Sequence, residues 1–264
     1  MTLDIKGELS RVHELYKNDS SFETFNALLY GKCGSGKTTI LATCRKPVLI
    51  HCFDPHGTLS IRSLLGPEKG IFVENFVHTG EGPDETFKKW QERMKELDRD
   101  KRFEALGTFA IDSFTTWCQS LIQNVLQTAG TKRNRPDIPA MADYQIIGVM
   151  VRDRIKRCTT LPCDFVLTAH IASERDEITG GIENTLAAIP SLREQLPLLF
   201  DEVYVLRTKV SSAGTQYFLQ TQNDGIYLAK TRLGANSKFQ KEEPQNMKEL
   251  LKKAGLSVSD KEWK

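Results

Sequence analysis

The chain has 264 residues, room for one generous α/β domain and little more. Its 39% hydrophobic and 27% charged residues are those of an ordinary globular protein, and no run of about 18 apolar residues marks a membrane span. A formal charge of +2 is too small to mark a nucleic-acid binder, so such a case has to rest on local patches.

The first residues lack the apolar core of a secretory leader. Cys33, Cys44, Cys52, Cys118, Cys158 and Cys163 form no CxxC pair and have no histidine at zinc spacing. They read as reduced thiols of a cytoplasmic protein.

Residues 1–24 are polar and end in the loop-like Asn18–Ser21; they are set apart as a candidate oligomerisation segment. Asn26–Tyr30 reads as a short buried strand running into a glycine loop, with a helix expected from Gly36 to about Cys44. Pro47–Cys52 is the next strand, bounded by Asp54, Pro55 and Gly57. Asp84–Leu106 predicts one amphipathic helix with Phe87, Trp90, Met94 and Leu97 on its apolar stripe. Thr108–Asp112 predicts a third strand and Ser113–Ala129 a helix. A basic, proline-bearing loop follows over 130–139, then a helix over Met141–Thr160 and a fourth strand over Asp164–Ala169. Residues 172–197, long, polar and glycine-interrupted, read as either a functional loop or a disordered segment. Asp201–Arg207 predicts a fifth strand, and Asn223–Gly225 the turn of a hairpin between Gln216–Gln220 and Gly225–Ala229. Residues 236–264 form a basic tail with a short helix near Met247–Leu251. Strands alternating with helices predict an α/β core, 25–235, with a mainly parallel sheet and an antiparallel hairpin at its end.

Gly31-Lys-Cys-Gly-Ser-Gly-Lys-Thr38 fits the eight-residue phosphate-loop pattern in full, after an apolar strand and before a helix. Its glycines let the backbone N–H groups close around phosphate oxygens at the positive end of a helix. The residues expected around ATP are Gly31, Lys32, Cys33, Gly34, Ser35, Gly36, Lys37, Thr38 and Thr39, with no side-chain chemistry assigned to Lys32 or Cys33. Lys37 is expected on the β- and γ-phosphates and Thr38 on Mg2+. Asp112, ending a buried strand, is the candidate second metal carboxylate; its competing reading is a helix cap. Asp54 is the candidate base for water, and its competing reading is a turn-forming residue before proline.

The ordered set resembles the RecA-type branch of P-loop ATPases rather than kinases, GTPases or AAA+ machines of the usual kind. Asp112-Ser113 carries that resemblance, together with Leu167-Thr-Ala-His170 and Lys230-Thr-Arg232. The resemblance implies that His170 senses the γ-phosphate and that Lys230 and Arg232 reach the nucleotide of a neighbouring copy. The chain departs from that family in having Asp54 where Glu is usual and His170 where glutamine is common. More narrowly, it resembles compact phage-borne RecA cores that anneal single-stranded DNA during recombination. This implies five core strands in a RecA-like order, ATP-driven assembly into a ring or filament, and single-stranded DNA and a single-strand-binding protein as partners. The competing expectations are a ring helicase motor and a nucleotide-gated regulatory ATPase with no DNA role.

Two segments stand where such a core presents DNA loops. The first carries Lys132, Arg133 and Arg135 as phosphate contacts. The second, 172–197, carries Arg193 and the pair Gly180-Gly181, and it contains no aromatic residue on which a base could stack.

Overall fold

The computed structural model describes residues 4–17, 23–128, 138–175, 182–235 and 238–262. In chain order the first half runs α1 (Ile5–Lys17), β1 (Asn26–Gly31), α2 (Lys37–Leu41), β2 (Val48–Cys52), a 3-10 helix (Gly57–Leu64), β3 (Ile71–Asn75), α3 (Thr86–Arg99), α4 (Arg102–Ala105) and β4 (Thr108–Asp112). Then come α5 (Phe114–Thr128), α6 (Met141–Cys158), β5 (Asp164–Arg175), β6 (Ile182–Leu186), α7 (Pro190–Leu198), β7 (Glu202–Ser211), β8 (Gly214–Gln220), β9 (Glu242–Pro244) and α8 (Met247–Ala254).

The sheet order is β3-β2-β4-β5-β1-β7-β8-β9, with β6 paired to β5. Strands β3, β2, β4, β5, β1 and β7 are mutually parallel, whereas β8, β9 and β6 join antiparallel. The fold is therefore α/β with a mostly parallel central sheet and antiparallel strands toward the C-terminus, as the alternation of elements predicts.

Strand alternation divides the core into two layers. Leu28, Tyr30, Phe109, Ile111, Phe165 and Leu167 face α3, α5, α6 and α7. Ala27, Leu29, Val48, Ile50, Ala110 and Val166 face α2 and α8. A sheet buried on both faces explains why β1, β2 and β4 read as continuous apolar runs.

Several expectations are corrected. The helix predicted over Asp84–Leu106 is two helices, because Lys101 takes a left-handed φ of 53° between them. Strand β3 was not anticipated, and Thr108–Asp112 is the fourth strand rather than the third. The expected loop 172–197 holds the end of β5, all of β6, and α7, which Pro190 opens and Leu192 and Leu196 anchor in the core. The hairpin lies between β7 and β8, turning at Ser211–Gly214. Asn223 and Asp224 instead accept backbone N–H groups of Gly225, Ile226 and Tyr227, and the chain then bridges at Tyr227 to Asn184 and at Lys230 to Val203. Regular α2 ends at Leu41, short of Cys44. Within the polar N-terminal segment, α1 is a helix whose apolar stripe Ile5, Leu9, Val12 and Leu15 is exposed.

Candidate nucleotide site

Parallel strands bring their C-terminal ends to one edge, and register decides which side chains meet there. β1 ends at Gly31, opposite His170 of β5. On the other side of β5, Ile111 pairs with Leu167, so Asp112 stands beside Thr168 one step further on. Cys52 pairs with Asp112, which places Asp54 just beyond the same edge.

The features of the phosphate loop have local causes. A Cβ on Gly31 would lie 2.7 Å from the carbonyl oxygen of Leu206 and 2.4 Å from Ser35 Oγ, so only glycine lets β1 and the loop pack there. Gly34 and Gly36 have φ of 75° and 93°, in the left-handed region. Nothing lies within 4 Å of where a Gly34 side chain would stand, so that part of the loop is open. Ser35 Oγ is buried without a hydrogen-bond partner among the described residues. Lys37 Nζ donates to the carbonyls of Gly31, at 3.1 Å, and Lys32, at 3.0 Å. Burial pulls its ammonium below the usual range, against Asp112, Cys33 and Asp54.

Asp112 is buried and accepts hydrogen bonds from two hydroxyls: Thr38 to Oδ2 at 2.7 Å, and Thr168 to Oδ1. Burial pushes its carboxyl up, against those two donors. The Asp112–Ser113 peptide bond is cis.

Asp54 accepts from Ser113 Oγ at 3.1 Å and from Thr116 Oγ1, and its Oδ2 lies 3.7 Å from His170 Nε2. Burial raises this carboxyl, but the contacts from His170, Thr116 and Ser113 together hold it below its ordinary range. The backbone N–H of His170 donates to Thr115 Oγ1 at 3.2 Å. A cleft of about 690 Å³ joins these groups, lined by Gly34, Gly36, Lys37, Thr38, Thr39, Asp54, Asp112 and His170 among others.

The open Gly34, the unpartnered Ser35 hydroxyl and the left-handed glycines suit a phosphate chain. The Thr38 hydroxyl and Asp112 carboxylate are two hard oxygen donors, the number a protein commonly offers Mg2+ beside phosphates and water. No cluster of three or more His, Cys, Asp or Glu residues able to hold a metal by itself occurs among the described residues.

The sequence model of the AAA domain family matches residues 24–233. The chain belongs to that family. It is thus a P-loop ATPase domain, and its loop Gly31–Thr38, with Asp112, stands within the matched region. No curated protein matches. Among solved structures, an ATPase of the type III secretion system of pathogenic bacteria is 12% identical, with a TM-score of 0.44 over 69% of this chain. This chain spans about half (51%) of that ATPase's length. The flagellar accessory protein FlaH from Methanocaldococcus jannaschii is 10% identical, with a TM-score of 0.42 over 83% of each chain. Among the described residues, no helix of this AAA domain is long and apolar enough to cross a membrane.

The remaining site expectations fall elsewhere. Lys230 pairs through its backbone with Val203, which is level with Leu28, several residues below the phosphate loop. Arg232 Nη1 lies 2.5 Å from Asp201, and its backbone N–H donates to Glu202. Neither side chain lines the cleft of its own chain. Arg193, expected in a free loop, is on α7, where Nε donates to the Ala188 carbonyl and the side chain walls a separate hollow with Tyr30, Pro190 and Leu228. Lys132, Arg133, Arg135, Gly180 and Gly181 lie outside the described residues. Thr116, Thr168, Tyr217 and Gln245 line or support the cleft without having been assigned a role from sequence.

Proposed function

We propose that the protein is a Mg2+-dependent ATPase that acts on single-stranded DNA during annealing or recombination. The observation that carries the ATPase reading is the convergence of Lys37, Thr38, Asp112, Asp54 and His170 on one cleft at the sheet edge.

In this reading the backbone of Gly31–Thr38 holds the phosphates and Lys37 faces the β- and γ-phosphoryl oxygens. Thr38 and Asp112 would hold Mg2+, which when bound supplies charge stabilisation for the transferring phosphoryl group. Thr168 keeps Asp112 aimed at Thr38. Asp54, held ionised by its hydroxyl and imidazole contacts, accepts the proton of the attacking water. The water oxygen bonds to the γ-phosphorus as the bridging bond to ADP breaks, and His170, beside Asp54, senses whether the γ-phosphate is present. Lys230 and Arg232, remote from their own cleft, serve the nucleotide of an adjacent copy.

The DNA part rests on the resemblance to compact phage recombination ATPases and on the basic run Lys132-Arg-Asn-Arg135. A phage source and a place in the host cytoplasm belong to the same reading. The test is the ATP hydrolysis rate in Mg2+, in EDTA, and in Mg2+ with a single-stranded oligonucleotide. Hydrolysis that needs Mg2+ and rises severalfold with the oligonucleotide is the expected result. Mg2+-dependent hydrolysis that ignores the oligonucleotide would replace the DNA role with nucleotide-gated assembly.

A further inference from the structure

The groups facing the γ-phosphate end of the cleft come from β5 and from the ends of β4 and β2. The same cleft extends past β1 and β7 to β8, five strand positions from β2. A nucleotide with its terminal phosphate at Asp112 therefore directs its base toward β8. The wall there is formed by Thr39, Thr43, Tyr217 and Gln245.

Tyr217 is an aromatic side chain left 50% exposed on β8. A side chain on Gly36 would bring its Cβ within 3.5 Å of the Tyr217 ring and 2.4 Å of Gln245 Oε1, so both residues abut the last glycine of the phosphate loop. Gln245 Nε2 donates to the carbonyl of Ser35 at 2.9 Å and to that of Phe218 at 3.1 Å. One amide thus ties the phosphate loop to the residue next to Tyr217. With both N–H groups used, the amide's orientation is fixed. Gln245 sits between β9 and α8, beyond residue 233 where the AAA domain match ends. The segment that completes this end of the cleft thus lies outside the matched region.

We propose that Tyr217 is the platform on which the base of a bound nucleoside triphosphate stacks. Gln245 is the positioning residue that fixes the distance from that platform to the phosphate loop. This rests on the ATPase reading and assigns the base end of the same site. Stacking needs only a π face, so Tyr217 favours a nucleotide over a bare polyphosphate and does not choose strongly among bases.

The test is calorimetric titration of the whole protein, in Mg2+, with ATP and separately with inorganic tripolyphosphate. Tyr217→Ala is expected to weaken ATP binding about tenfold and to leave tripolyphosphate within about twofold, while Tyr217→Phe binds ATP like the wild type. Gln245→Met is expected to lower the ratio of ATP to tripolyphosphate affinity and to raise KM for ATP more than it lowers kcat. Unchanged ATP binding by a folded Tyr217→Ala protein would overturn the platform. Equal losses of both ligands in Gln245→Met would reduce Gln245 to a structural contact. A wild-type protein that binds neither ligand would overturn the ATPase reading itself.

Discussion

The hydroxyl of Thr38 lies 2.7 Å from Oδ2 of Asp112, although β5 separates the strands that deliver the two residues. Thr168 makes that reach possible, since it stands on the intervening strand and holds the other carboxylate oxygen. A hydroxyl donor there orients the carboxylate and satisfies a lone pair that burial would otherwise strand. Thr168→Val keeps the shape and removes the donor. Turnover is expected to fall about 10- to 100-fold, as when an outer-shell partner of a metal ligand is lost, and the Mg2+ needed for half-maximal rate should rise. A Mg2+ titration of steady-state hydrolysis checks it. A variant with wild-type rate and Mg2+ dependence would show that Asp112 needs no such support.

The proposal that Arg232 and Lys230 serve an adjacent copy predicts complementation between variants. Arg232→Ala protein should be inactive alone, as should Lys37→Ala. Mixed, the two should recover part of the activity, because one interface can pair an intact phosphate loop with an intact basic pair. The measurement is ATP hydrolysis across mixing ratios, with co-assembly followed by mass photometry. Co-assembly without recovery would confine the pair to the ion contact with Asp201.

Acid stability has a separate source at the β2–β3 edge. His51 Nε2 lies 3.3 Å from Glu74 Oε2, and the Arg93 guanidinium bonds both Glu74 oxygens. These contacts from His51 and Arg93, against burial, bring the Glu74 carboxyl down to about 2 from an ordinary 4.5. Its folded value is depressed, so its contribution is complete above the unfolded value and is lost as pH falls from about 4.5 toward 2. Urea midpoints should therefore drop more steeply over that window in the wild type than in Glu74→Gln. Parallel curves would remove Glu74 from the acid response.

The DNA proposal predicts a salt effect. Replacing Lys132, Arg133 and Arg135 together with Ala should weaken single-strand binding at every sequence alike. It should also flatten the plot of log affinity against log salt by roughly 2, at about 0.7 per lost phosphate contact. Fluorescence anisotropy on labelled oligonucleotides over a salt series, with ATP present, reads both. An unchanged slope would move the strand to another surface.

What could be read from sequence follows the range of the forces involved. The phosphate loop was legible because contiguous residues, Gly31 to Thr38, carry both its backbone conformation and its chemistry. β1, β2 and β4 were legible because strands buried on both faces are apolar without interruption. β3 is an edge strand with only Ile71 fully buried, and its one local signal is the short apolar run Ile71-Phe-Val73 beside Gly70. The hairpin was misplaced because Asn223-Asp-Gly225 has the composition of a two-residue turn, yet its side chains bond the backbone just ahead and release the chain toward β6 and β7. Within the site, Asp54 and His170 could be nominated singly, whereas their 3.7 Å approach depends on strand register. Gln245 was beyond reach: it meets Ser35 across 210 residues of sequence, and no local pattern encodes that contact.

The central claim, that Lys37 and Asp112 belong to one hydrolytic site, is tested most directly by ATP turnover of Lys37→Ala and Asp112→Asn. Each variant is purified alone and compared with the wild type by thermal melting. Both should lose hydrolysis by several orders of magnitude while melting cooperatively with native circular dichroism, because one acts on the phosphates and the other on the metal. Wild-type turnover in either folded variant would contradict the site as described.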